Sequence, residues 1–214
     1  GGIPVSSHVR FALVVICLTA LVAVSAAAPG DDALIFYAPF DGDAVAAESD
    51  GPADPVREVD MEYEPGMMGQ AVAVGGDRPR LLYPKEGNLD LNAGAISCWV
   101  KSVDWDLETL GERSGPMFFR TRAPGMRNMY LGAINPGGRG YQVMIRFFVP
   151  DVGAWGAAGT PAWTPGEWHH VVGNWGQGKL ELYIDGELAG RVEDFGQLDL
   201  SAPDFSVGPH RPAQ

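Results

Sequence analysis

The chain has 214 residues, 46% hydrophobic and 20% charged, enough apolar material for a real core and too much for a wholly disordered polypeptide. A net charge of −12 and a pI near 4.6 offer no basic footprint, which argues against a nucleic-acid partner and against docking on an anionic membrane. The 29 glycines and 17 prolines are spread along the chain, as punctuation between many short strands would be.

The N-terminal segment reads as a targeting element rather than as fold. Arg10 precedes the apolar run 11–24 (FALVVICLTALVAV), and the small residues Ser25, Ala26, Ala27 and Ala28 follow. A basic start, an apolar stretch too short to span a bilayer and a small-residue cleavage site are the features of a secretory signal peptide. Cleavage after Ala27 gives the domain plan: signal peptide 1–27, short linker 28–32 and one domain over 33–214. The mature chain is then secreted, extracellular or periplasmic, with no membrane attachment. A retained anchor is the alternative. Cleavage also removes Cys17 and leaves Cys98 alone, so no internal disulfide is expected and Cys98 reads as a small buried hydrophobe.

Beyond residue 28 no long apolar period of 3.6 residues occurs. Short β-branched and aromatic runs recur instead, and predict strands at 33–38, 70–74, 80–83, 95–101, 117–121, 129–133, 141–149, 168–175, 179–184, 187–192 and 205–207. That spacing means an antiparallel sandwich or barrel. The clearest local signal is Leu180-Glu-Leu-Tyr-Ile-Asp-Gly-Glu-Leu, in which Asp185-Gly186 supplies the two left-handed positions of a type I′ hairpin turn. With a second tight turn at 176–179, residues 168–192 form a three-stranded meander. On its first strand Trp168, His170 and Val172 share one face, and His169, Val171 and Gly173 the other. His170 has no His or Cys spaced to complete a zinc site and reads as a hydrogen-bonded histidine.

Several motifs together resemble the laminin-G-like and concanavalin A-like jelly-roll family. They are Ala38-Pro-Phe-Asp-Gly42, Gly66-Met-Met-Gly-Gln-Ala71, Ala95-Ile-Ser-Cys-Trp-Val-Lys101, Trp168-His-His-Val171 with Leu182-Tyr-Ile-Asp-Gly186, and Ser206-Val-Gly208, in the family's order over about 33–208. The resemblance implies an all-β fold of two antiparallel sheets packed face to face. The family continues from the last motif into a closing strand, so the resemblance also implies a sandwich truncated at the C-terminus, a piece of a larger exported protein. Phe often stands where Cys98 stands, which implies a slightly underfilled core there.

Glu58-Val-Asp-Met-Glu62 resembles the signature of laminarinase- and lichenase-type glycosidases, which share this fold. On a strand Glu58, Asp60 and Glu62 would face one way, with Glu58 as nucleophile and Glu62 as acid/base; retention needs the two carboxyls about 5–5.5 Å apart. All six tryptophans follow this segment, whereas those enzymes build sugar subsites ahead of it. The reading preferred is a solvated carboxylate face, with Val59, Met61 and Tyr63 turned inward, and no catalysis.

Sugar recognition needs exposed aromatic faces with a few polar groups. Trp155, Trp163 and Tyr141, in or beside Gly/Pro-rich segments read as loops, are the candidate ligand-binding residues, Trp99 and Trp168 having more reason to be core. The family often holds calcium with loop carboxylates; Asp41, Asp43 and Asp77 are of the matching type. The expectation is a secreted, non-catalytic binding module for carbohydrate or a cell-surface protein, packing with other domains of the same polypeptide. A glycoside hydrolase using Glu58 and Glu62, or a purely structural module, is the alternative.

Overall fold

The computed structural model describes residues 10–14 (as backbone), 33–57, 60–75, 78, 81–103, 105, 107, 115–135, 140–150, 152–196 and 201–208. Numbered in chain order, the strands are β1 (Arg10–Val14), β2 (Phe36–Tyr37), β3 (Glu48–Ser49), β4 (Glu62–Pro65), β5 (Gln70–Gly75), β6 (Leu81–Pro84), β7 (Gly94–Ser102) and β8 (Met117–Arg122). They continue with β9 (Asn128–Ile134), β10 (Gln142–Val149), β11 (Gly153–Gly159), β12 (Trp168–Gly176), β13 (Lys179–Ile184), β14 (Glu187–Val192) and β15 (Asp204–Val207). A seven-stranded sheet runs β14-β13-β12-β7-β1-β5-β4, and a six-stranded sheet runs β11-β10-β9-β8-β15-β6. Every pairing is antiparallel, and β2 and β3 form a small separate ribbon. The expected two-sheet sandwich is the fold.

Alternation along the strands builds the core. Val72 and Val74 of β5, Cys98 and Val100 of β7, Val171 of β12, and Leu180 and Leu182 of β13 point into the sandwich from one side. Met129 and Leu131 of β9 and Val143, Ile145 and Phe147 of β10 meet them from the other. Each fully buried side chain of this size contributes roughly 1.5–3 kcal/mol. Two aromatic knots fill the space between. Tyr83 and Phe119 stack on Phe205, with Phe36 edge-on; at the opposite margin Phe147 packs between Trp175 and Phe195. The sheets come so close at Gly173 that a Cβ there would lie 2.4 Å from Ile145 Cδ1 and would force that side chain to move.

The meander forms as expected. Asp185 and Gly186 take φ of 52° and 85°, the left-handed pair of a type I′ turn. The Asp185 carboxylate also accepts the His170 backbone N–H at 2.8 Å, tying the turn back to β12.

Two sequence expectations are corrected. The stretch that carries Trp155 is not a loop: 153–159 is the edge strand β11, laddered along β10 from Val143↔Gly159 to Val149↔Gly153. Its Gly-Ala-Trp-Gly-Ala-Ala-Gly sequence hides the strand, because small residues carry no apolar alternation. The strand expected at 33–38 shrinks to Phe36–Tyr37. Most of the expected leader lies outside the described residues, but Arg10–Val14 forms β1, seated between β5 and β7 in register Phe11↔Val74 and Phe11↔Ser102.

Candidate functional site

The ligand-binding candidates chosen from sequence lie on the inner side. Trp163 is 7% exposed and stacks on His169 at 4.6 Å, with Phe118 and Trp105 beside it. Tyr141 is 8% exposed and belongs to the same core. Trp155 is half-buried on β11 with its ring edge-on to Phe195. The three are built into the core of the sandwich, and neither Trp163 nor Tyr141 offers an open ring face.

The strand tryptophans do the opposite. Val100 and Val171 point inward, so Trp99 and Trp168 stand on the outer face of the seven-stranded sheet, half-buried, with Ala71 beneath them. Cross-strand register sets Trp99 opposite His170 and Lys101 opposite Trp168. The Trp99 and His170 rings stack at 5.0 Å with 27° between planes, and Ser97 Oγ lies 2.8 Å from His170 Nε2. Lys101 Nζ sits 5.0 Å over the Trp168 ring, a cation–π contact. Burial lowers the His170 pKa below the usual imidazole value, opposed by the nearby Asp185 carboxylate.

A polar network adjoins these rings on the same face. Glu181, 8% exposed, is its hub. It accepts from Arg191 Nε at 2.7 Å, from the Tyr183 hydroxyl at 3.1 Å and from Asn174 Nδ2 at 3.3 Å. Burial raises the Tyr183 pKa, and the hydrogen bond to Glu181 pushes the same way, so its hydroxyl stays protonated. Together the face offers aromatic surface beside fixed donors and acceptors, the combination that recognises a polyhydroxylated ring. Sequence reasoning paired Trp168 with His170 on one face but took the strand tryptophans for core. The alternation through Val100 and Val171 was the signal that could have placed them outside.

Of the glycosidase-type carboxylates, the structure describes Asp60 and Glu62. Glu58 and Val59 lie outside the described residues. Asp60 is exposed, and Glu62 is 68% exposed in an ion pair with Arg78. Met61 and Tyr63 turn toward the core, as expected for a solvated carboxylate face. For calcium, Asp41 Oδ1 accepts the Gln70 N–H at 3.0 Å and Asp43 Oδ1 accepts the Val45 N–H at 2.9 Å, while Asp77 lies outside the described residues. Among the described residues no group of three or more acidic, His or Cys side chains is placed to hold a metal ion. Cys98 is buried, and burial pushes its thiol up to about 12, which removes it as a nucleophile.

Residues 76–212 match the family described as the concanavalin A-like lectin/glucanases superfamily. Among solved structures, domain 4 of AbnA, a GH43 extracellular arabinanase from Geobacillus stearothermophilus in complex with arabinotriose, aligns with a TM-score of 0.57 at 18% identity. The alignment covers 81% of this chain and 82% of that one. Domains LG4-5 of the mouse laminin alpha1 chain align with a TM-score of 0.46 at 13% identity, over 62% of this chain and 32% of that one. Comparison with curated protein sequences returned no match.

Proposed function

Because the chain belongs to the concanavalin A-like lectin/glucanases superfamily, we propose that it is an extracellular, non-catalytic module that binds neutral carbohydrate on the outer face of the seven-stranded sheet. The observation that carries this reading is the half-buried pair Trp99 and Trp168 on a solvent-facing sheet, beside the Glu181 network. A sugar ring lays its C–H face on an indole while its hydroxyls meet directional partners at the rim. Glu181, Tyr183 and Asn174 are already held by one another, so little side-chain freedom is lost when a ligand docks. The likeness to domain 4 of AbnA, solved with arabinotriose, supports a short neutral oligosaccharide as the ligand class.

Titration with arabinotriose and with neutral β-glucan oligosaccharides, followed by tryptophan fluorescence and calorimetry, tests the reading. Trp99→Ala is expected to weaken binding about tenfold, the scale of one lost aromatic contact of 1.4 kcal/mol. Glu181→Gln is expected to weaken it by a smaller factor, with the fold retained in both. Fluorescence that responds to no neutral glycan, or a Trp99→Ala variant that binds like the parent, would refute the proposal.

A further inference from the structure

The acidity of this chain is not evenly distributed. Residues 113–150 contain six arginines, no lysine, and no Asp or Glu, in a protein of net charge −12. That stretch builds β8, β9 and β10, the middle of the six-stranded sheet, and β11, with no charged residue in its strand, completes that side. Register decides where the charge goes. Met129, Leu131, Ile145 and Phe147 point into the core, so their neighbours in sequence point out. One cross-strand row on the outer face therefore reads Ser206–Arg120–Tyr130–Arg146–Gly156, and the next reads Arg122–Asn128–Phe148–Ala154, with Asp204 of β15 beside Arg122 at its edge.

Arg120 and Arg146 flank Tyr130, two strand spacings or about 10 Å apart. Arg146 is pre-positioned: its Nη1 donates to the Tyr130 hydroxyl at 3.3 Å, and its guanidinium lies 5.5 Å from the Phe148 ring centre. Tyr130 lies between the cations, and Met144 and Ile134 continue an apolar floor beside them, bordered by the small residues of β11.

We propose that this outer face is a second binding surface, for a linear polysaccharide bearing carboxylates, a polyuronate. The exclusive use of arginine fits carboxylates, since the planar guanidinium pairs with them through two parallel hydrogen bonds. Two cationic positions on either side of a tyrosine match a polymer with repeated acid groups and a sugar ring between them. A second copy of this chain is the weaker fit. Three of the carboxylates on and beside its opposite sheet are already engaged, Glu62 with Arg78, Glu181 with Arg191 and Asp185 with the His170 N–H. A bilayer is also disfavoured, because a broad anionic surface meets the negative charge of the rest of the molecule, whereas a single polymer strand touches the arginine rows alone. The surface is independent of the tryptophan face, and neither proposal rests on the other.

The test is calorimetric titration of the full chain with polygalacturonate oligomers and with their fully methyl-esterified form. Esterification keeps the sugar rings and removes the charge. Binding is expected to the acid form only, and to weaken several-fold between 50 mM and 200 mM salt, as screening of exposed charge requires. Arg146→Gln and Arg122→Gln are expected each to lower affinity several-fold, and together by at least about tenfold, with unchanged melting temperatures. Trp99→Ala is expected to leave polyuronate binding intact. Equal binding of acid and ester, or affinity indifferent to both arginine substitutions, overturns the proposal. So does capture by anionic vesicles without polyuronate binding, or low-salt dimerisation abolished by Arg146→Gln without polyuronate binding.

Discussion

The outer faces of the two sheets share one core and differ in how each handles charge. On the seven-stranded face Arg191 neutralises Glu181 and Lys101 lies over the Trp168 ring. What stays open there is aromatic surface and hydrogen-bonding capacity, suited to a neutral ring. On the six-stranded face arginines are set in rows across β8, β9 and β10, strands that carry no carboxylate, with Asp204 of β15 at their edge. The difference teaches that net charge describes neither face. The −12 of the whole chain, which argues against polyanionic partners, averages the acid-free residues 113–150 with an acidic remainder.

Because both faces hang on one core, damage at the sheet contact should abolish the distinction. Gly173→Val drives a side chain into Ile145 and is expected to cost about 1–3 kcal/mol, with neutral-glycan and polyuronate binding falling together. Chemical denaturation alongside both titrations checks this; loss of one activity alone would show that the faces do not share the contact as described.

A change of pH should sharpen the comparison from one side. The folded His170 pKa lies below the usual value of about 6.5, so as pH falls the unfolded chain takes up this proton first. Its contribution is fully present above pH 6.5 and declines as pH falls toward the folded value. Stability measured from pH 7.5 to 5 is expected to fall less steeply in His170→Gln than in the parent, and an equal slope would contradict the burial account.

The smallest effect concerns Glu62. Its ion pair with Arg78 is exposed on the carboxylate side, so Glu62→Gln is expected to change stability by only about 0–1 kcal/mol and to leave binding at either face unaltered. Hydrolysis of a β-glucan by the parent, lost in Glu62→Gln, would instead restore the glycosidase reading.

The meander and most strands were legible because their signals are local. Asp185-Gly186 demands a tight turn, and 179–184 and 187–192 alternate on either side of it. The strand β11 was not, since glycine and alanine satisfy a ladder without an apolar pattern. The tryptophans were inverted for a related reason. A loop position suggests exposure, yet the chain between β11 and β12 folds Trp163 over His169, while alternation in β7 and β12 spends the inward positions on valines and turns Trp99 and Trp168 outward. The arginine face depends on four strands lining up in register, which no single stretch of sequence displays.

The place of β1 bears on time as well as space. It is made first, yet it cannot be seated until both β5 and β7 have been synthesised, because it pairs with each of them. Any process that holds or removes residues 10–14 therefore acts on the middle of this sheet and not on its margin. A chain without residues 10–14 is left with a block of β14, β13, β12 and β7 facing a block of β5 and β4 across two unpaired ladders.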